Sequence, residues 1–281
     1  MTISTATTTT SPARAPLAGF AAQLLLLAAL AATVGLSTPG WVAGVAYGAV
    51  LCGLLAVALR RSGMRDLGWA NSVTLGRAIL TGGVTALLLS GAPKLLVVTI
   101  AAVALAMDGV DGQIARRTGT TTSLGARFDM EVDAYLILAL SAAAAVEYGW
   151  WALAIGAFRY VFVAAAWVAP WLNAPLPPKF SRKVVAAQQG VMLAVVVSGL
   201  LPTWLAVAAL AVALGSLAWS FGRDIAWLYS AHRRRLRLAG VAPWDAGVEA
   251  TEIAHACASP MSASSTPAGA TRLWLRIQAQ S

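Results

Sequence analysis

Acidic residues are concentrated in one short stretch of an otherwise apolar chain. The sequence of 281 residues contains eleven Asp and Glu residues. Five of these fall together between two apolar segments: Asp108, Asp111, Asp129, Glu131 and Asp133. Ionisable groups at membrane depth are energetically costly, and they usually mark a functional site that faces a bundle interior or a watery cavity. We therefore interpret this stretch as the chemical centre of the protein.

The spacing of the acids predicts that four of them converge. Asp108 and Asp111 are three residues apart and share one face of a helix. Asp129 and Asp133 are four residues apart and share a face of the next helix, whereas Glu131 points elsewhere. If the two helices pack antiparallel, four carboxylates meet, and such a concentration of negative charge is stable only with cations between them. Oxygen ligands without Cys or His favour Mg²⁺ or Mn²⁺ over Zn²⁺. Two such ions suit a diphosphate substrate.

The elements that position these acids are predicted to be membrane-spanning helices. Hydrophobic residues make up 59% of the chain and charged residues 11%, against about a quarter charged in soluble domains. Each apolar block has about the length of a spanning helix, and membrane strands of alternating polarity are absent from the pattern. The sequence therefore predicts an all-α, polytopic membrane protein with eight spans, at residues 17–36, 41–59, 73–90, 95–107, 124–146, 150–172, 184–201 and 204–229.

The net charge of +9 is explained by membrane topology rather than by nucleic-acid binding. Most Arg and Lys residues fall at the ends of apolar blocks, on one side of an eight-span arrangement. Lys94 is the exception, in a short turn on the other side. The positive-inside rule then places both termini and the acidic stretch in the cytoplasm, and we expect a multi-pass protein of the cell membrane without a nucleic-acid partner.

Small residues accompany the acids and complete a recognisable motif. The chain reads DGVDGQIAR at residues 108–116 and GARFDMEVD at residues 125–133, with eight residues between. This resembles the CDP-alcohol phosphatidyltransferase family, whose signature is DxxDGxxAR, eight residues, GxxxDxxxD. All eight fixed positions are filled with the spacing intact. The resemblance covers roughly residues 70–229 and implies a six-helix transferase core.

Two weaker similarities flank the signature. NSVTLGR at residues 71–77 looks like the family's N-x-x-T-x-x-R entry to the first core helix. Lys183 with Gln189 looks like a G-K…Q segment, but Arg182 replaces the usual Gly there. We accordingly divide the chain into a disordered lead (1–15), two additional transmembrane helices (16–62), the core (63–237) and a disordered tail (238–281).

The resemblance implies roles for individual residues. Asp108, Asp111 and Asp129 would hold two Mg²⁺ or Mn²⁺ ions, and Asp133 would complete the site and act as the catalytic base. Other signature positions would bind the CDP moiety, with Thr74 before them: Gly112, Ala115, Arg116 and Gly125. The reaction implied is the transfer of a phosphatidyl group from CDP-diacylglycerol to a small alcohol, with release of CMP, in phospholipid biosynthesis. A homodimer is also implied.

The acceptor alcohol is not identified by the signature. Four basic residues are candidates for binding an acceptor phosphate: Lys179, Arg182 and Lys183 on the cytoplasmic side, and Arg159 within its span. The alternative is that Lys179, Arg182 and Lys183 only anchor a positive-inside loop.

Two other functions use acids in membranes. An intramembrane prenyltransferase also binds Mg²⁺-diphosphate, but it is expected to carry its two motifs in widely separated loops. A cation transporter or channel is expected to place its acids near the middle of spans. Here the acids stand at span ends, one short loop apart, which favours the transferase.

Overall fold

The computed structural model describes residues 14–62, 68–118, 123–177 and 180–239, and this part of the chain contains helices and no strands. The eight α-helices are α1 (Arg14–Val34), α2 (Thr38–Ser62), α3 (Gly68–Leu89), α4 (Lys94–Thr118), α5 (Ser123–Tyr148), α6 (Leu153–Val168), α7 (Phe180–Val197) and α8 (Thr203–Ala239). Short 3₁₀ turns, Trp150–Ala152 and Pro170–Asn173, flank α6. The prediction of an all-α, polytopic membrane protein is confirmed.

Five of the described helices are long and apolar enough to cross a membrane: α1, α2, α3, α8 and α6 with the turn before it. The other three carry polar or charged groups within their length. In α4 the apolar part, Lys94–Met107, stops where the acidic stretch begins, and α5 carries Asp129, Glu131 and Asp133 in its first three turns. Two of the three helices that hydropathy underrates, α4 and α5, are therefore those that carry the signature.

Several helix ends differ from the predicted spans. α4 continues to Thr118, well past the predicted end at residue 107, because the polar DGVDGQIAR segment is itself helical. α8 continues to Ala239 through a basic segment, and α1 begins at Arg14, within the predicted disordered lead. The remainder of the two predicted disordered segments lies outside the described residues.

The chain divides into two compact units, residues 1–225 and 226–281. In the first unit α3 is the central helix, because α1, α2, α4 and α5 all pack against it. Its buried Val84 and Leu87 join the main apolar core with Leu136 and Leu140 of α5 and Leu193 of α7. In the second unit the structure describes the end of α8, where the Arg233 guanidinium lies 5.8 Å from the Tyr229 ring centroid.

A row of small residues on α2 allows close packing against α1 and α3. Gly40, Gly44 and Gly48 are spaced four residues apart, so they lie on one helix face, and all three are buried. A Cβ atom at Gly44 would come within 2.7 Å of Leu27 Cδ2 of α1, and one at Gly48 within 2.9 Å of Gln23 Cγ. Membrane helices associate through such small-residue faces because there is no hydrophobic driving force between helices in lipid.

We predict that Gly40→Ala destabilises the protein, whereas Gly53→Ala does not. A Cβ atom at Gly40 would overlap Ser90 Oγ and come within 2.6 Å of the Ala86 carbonyl oxygen, which belongs to the α3 backbone. Gly53 lies on the same helix with nothing within 4 Å of an added Cβ atom. Overpacking of this kind costs roughly 1–3 kcal/mol. Unfolding of the two variants in the same detergent checks the prediction, and equal unfolding temperatures would contradict it.

Candidate functional site

A buried arginine joins α3 to the two aspartates at the start of α5. Arg77 is 1% exposed and donates from Nη1 to Asp129 Oδ1 and from Nη2 to Asp133 Oδ1. An uncompensated charge at this depth would be prohibitively costly, so the arginine and the carboxylates depend on one another. The two ends of one guanidinium thereby fix the separation of two carboxylates that lie one helical turn apart.

The three acids of α5 point in two directions, as their spacing predicts. Asp129 and Asp133 share the face that meets α3. Glu131 is about 200° away around the helix and instead accepts a hydrogen bond from Arg159 Nη2 of α6 at 2.5 Å. Arginines from two neighbouring helices therefore hold α5 on opposite faces, and this fixes its rotation about its own axis.

The two aspartates are partly exposed. Their side chains are 34% and 37% exposed, whereas Arg77 is 1% exposed. Carboxylate oxygens are ligands that suit Mg²⁺ or Mn²⁺. These two residues therefore fit the predicted metal site.

The α4 half of the signature lies in the last turns of that helix. The backbone from Asp108 to Arg116 is helical. The surroundings of the signature residues on this helix lie outside what the structure describes: Asp108, Asp111, Gly112, Ala115 and Arg116. Among the described side chains no group of three or more potential metal ligands occurs. The convergence of all four aspartates accordingly stays a prediction.

Two of the residues predicted to bind CDP lie close in sequence to this cluster. Thr74 is buried on α3, one turn before Arg77. Gly125 is buried in the first turn of α5, one turn before Asp129. Both thus belong to the helix ends that carry the charged groups.

The predicted acceptor residues have different surroundings from one another. Arg159 pairs with Glu131 on the face of α5 that is opposite to Asp129 and Asp133, so the structure does not bring it together with them. Arg182 Nε lies 3.3 Å from Asp224 Oδ2 of α8, and its guanidinium also donates to the Pro177 carbonyl oxygen. Lys183 is exposed at the start of α7, and Lys179 lies outside the described residues.

Three residues of this region form contacts between helices that the sequence alone did not predict. Arg77 was visible as the last position of the NSVTLGR segment, but its partners lie on a helix more than fifty residues later. Asp224 is buried in α8 between Arg182 and Arg223, and an acid within an apolar span is itself a signal. Gln189 proves to join helices, because its amide donates to the Ala213 carbonyl oxygen of α8 at 2.8 Å.

Comparison with known families identifies the class of protein. Residues 67–217, more than half of the chain, match the family model for CDP-alcohol phosphatidyltransferase. The chain belongs to this family, whose members transfer a phosphatidyl group from a CDP-alcohol in lipid synthesis and are generally dependent on divalent metals. The matched region begins at the start of α3 and ends within α8, so α1 and α2 precede it. No curated protein and no solved structure matches the chain.

We predict that Arg77→Met lowers the free energy of unfolding by roughly 1–3 kcal/mol, because two partly exposed carboxylates lose a shared hydrogen-bond donor. Lys94→Met is the matched control, since Lys94 also pairs with an acid, Glu147 at 2.6 Å, but both side chains are largely exposed. Removing that pair is expected to cost at most about 1 kcal/mol.

Mg²⁺ is expected to restore part of the stability of Arg77→Met and none of that of Lys94→Met. The physical reason is that a cation bound at Asp129 and Asp133 replaces the lost positive charge. Thermal unfolding with EDTA and with Mg²⁺ measures both effects. The assigned role of Arg77 fails if the two variants are equally stable in EDTA.

Proposed function

We propose that the protein transfers the phosphatidyl group of CDP-diacylglycerol to a small polar alcohol, with or without a phosphate of its own, and releases CMP. The proposal is supported above all by the buried Arg77, which holds the partly exposed Asp129 and Asp133 side by side. Asp129 and Asp133 are the last two acids of the family signature, and the family match includes them.

In the proposed reaction the acceptor hydroxyl oxygen attacks the lipid-side phosphorus of the donor. The bond from that phosphorus to the oxygen of the CMP phosphate breaks, and CMP leaves with the electron pair. Asp133 acts as the general base and takes the hydroxyl proton. Direct transfer requires no covalent enzyme intermediate.

Two Mg²⁺ or Mn²⁺ ions held by Asp108, Asp111, Asp129 and Asp133 would neutralise the diphosphate charge and stabilise the leaving group. The protein's own contribution is to keep the acids in place. Arg77 donates to both Asp129 and Asp133 and fixes their spacing. Thr74, Gly112, Ala115, Arg116 and Gly125 would surround the CDP moiety.

The position of the acids in the helices suits an interfacial reaction. Asp129 and Asp133 lie in the first three turns of α5, at the end of the helix that the eight-span arrangement puts on the same side as most Arg and Lys residues. By the positive-inside rule this end faces the cytoplasm, so lipid tails remain in the bilayer while nucleotide and acceptor arrive from water. A transporter site is expected nearer the middle of a span. We further propose a homodimer in the cell membrane, as the family resemblance implies.

We expect Asp133→Asn to reduce CMP release by about 10²-fold or more, the usual contribution of a general base. Glu131→Gln is the matched control, because Glu131 lies two residues away on the opposite face of α5 and pairs with Arg159. Purified protein is incubated with CDP-diacylglycerol, Mg²⁺ or Mn²⁺, and a panel of alcohols and phosphorylated alcohols. Equal rates for the two variants, or no CMP with any acceptor from protein that binds metal, would count against the proposal.

Lys183 is the described basic residue that we expect to decide recognition of a phosphorylated acceptor, with Arg182 beside it. Lys183→Ala should raise KM for such an acceptor by about tenfold, because one charge-assisted contact to a phosphate is lost. Arg159→Gln should leave that KM unchanged, since Arg159 is engaged by Glu131 on the far face of α5. If KM responds to Arg159 rather than Lys183, the assignment is reversed; if KM responds to neither, neither residue binds the acceptor phosphate.

A further inference from the structure

The two helices before the family region pack directly behind the segment that carries Arg77. Leu75 of α3 lies two residues before Arg77 and packs on the buried Leu55 and Leu59 of α2. A Cβ atom at Gly19 of α1 would be 3.1 Å from Leu75 Cδ1, so the α1 backbone is also close. α3 is therefore enclosed, with α1 and α2 on one face and the aspartates of α5 on another.

Deeper in the bundle, α1 and α2 place two hydrogen-bonding side chains against α3. Gln23 of α1 is 1% exposed, and neither its amide nitrogen nor its amide oxygen has a hydrogen-bond partner among the described residues. The Tyr47 hydroxyl of α2 is also buried without a hydrogen-bond partner among the described residues. Both side chains lie over Gly82, where an added Cβ atom would be 2.5 Å from Gln23 Nε2 and 2.7 Å from Tyr47 Cδ1.

An unsatisfied amide in apolar surroundings lowers stability by about 1–3 kcal/mol, so stability does not explain Gln23. The best-attested use of a buried polar residue between helices is to specify their register and partner. Gly82 stands five residues after Arg77 on α3. Gln23 therefore contacts α3 little more than one turn beyond the guanidinium.

Tyr47 extends the contact to α5. Its ring centroid is 4.7 Å from that of Tyr135, which follows Asp133 by two residues. The Thr85 hydroxyl of α3, which donates to the Thr81 carbonyl oxygen, also lies 3.4 Å from Tyr135 Oη, so α2, α3 and α5 meet at this point. Tyr47 of α2 therefore contacts α5 within one helical turn of Asp133, the proposed general base.

We propose that α1 and α2 position the active site, with Gln23 and Tyr47 fixing the register of α3 against α5 and hence the distance between Arg77 and the two aspartates. A slip of one residue moves a helix by about 1.5 Å along its axis, enough to separate a guanidinium nitrogen from its carboxylate. Errors of about 1 Å in reacting groups can reduce rates by about 10²-fold. The proposal rests on the proposed transferase reaction for its kinetic readout and on metal binding for an independent one.

The test compares Tyr47→Leu with Tyr47→Phe, which keeps the ring contact with Tyr135. CMP release gives kcat and KM for CDP-diacylglycerol, and electron paramagnetic resonance gives Mn²⁺ affinity. Tyr47→Leu is expected to lower kcat by about tenfold with KM nearly unchanged and to weaken Mn²⁺ binding severalfold, because the acids are misplaced rather than removed. Tyr47→Phe is expected to stay within about twofold of wild type, as is Val50→Ala on the exposed face of α2.

Gln23→Leu is a second test, which remains informative if Tyr47→Leu fails to fold. It puts an apolar side chain of similar size in place of the unsatisfied amide. The unfolding temperature is therefore expected to equal or exceed that of wild type while kcat falls. A merely structural role would move stability and kcat in the same direction. The proposal is overturned if Gln23→Leu and Tyr47→Leu retain wild-type kcat and Mn²⁺ affinity. If wild type binds Mn²⁺ but releases no CMP, the transferase reaction fails, and Mn²⁺ affinity alone still decides this proposal.

Discussion

The ion pairs between the buried Arg77 and the two aspartates of α5 constrain the rest of the bundle. A guanidinium that is 1% exposed in an apolar interior must keep its carboxylates, so α3 cannot shift or rotate against α5 without large cost. α3 is also the helix on which α1, α2 and α4 pack. Any movement of those helices that displaces α3 therefore acts on the charged cluster.

α5 is held from its other side by a second arginine. Gly156 of α6 lies so close to α5 that a Cβ atom there would be 2.5 Å from Leu138 Cα, and this close approach accompanies the Arg159–Glu131 pair. Acids at alternate positions of one helix turn are thus neutralised by different neighbours. The Arg77 pairs set the spacing of Asp129 and Asp133, and the Arg159 pair contacts the opposite face of α5. An ion pair between Asp224 and Arg182 likewise joins α8 to α7.

The sequence predicts the helices and the helix face on which each acid lies. It does not predict which side chains pair between distant helices. Helical periodicity alone correctly places Glu131 on a different face of α5 from Asp129 and Asp133. The apolar blocks correspond to the eight α-helices of the described residues. Hydropathy ends α4 at residue 107 because it scores polar residues as non-spanning, although the same residues continue the helix. The partners of Arg77, Arg159 and Arg182 stand 28 to 56 residues away, and no periodic pattern encodes a contact between distant helices. The close packing of α2 depends on Gly40, Gly44 and Gly48, which are visible in the sequence, but which helices they meet is set by the tertiary fold.

The same constraint determines which of the three charged side chains stay exposed. Arg77 is 1% exposed, whereas the side chains of Asp129 and Asp133 are 34% and 37% exposed. In the proposed reaction, a diphosphate and its cations would approach the exposed part of these two side chains. A donor with its tails in the bilayer would then bring its charge to the acids without crossing the apolar core. The buried arginine would thus serve both stability and orientation, because it neutralises the two acids while about a third of each side chain stays exposed.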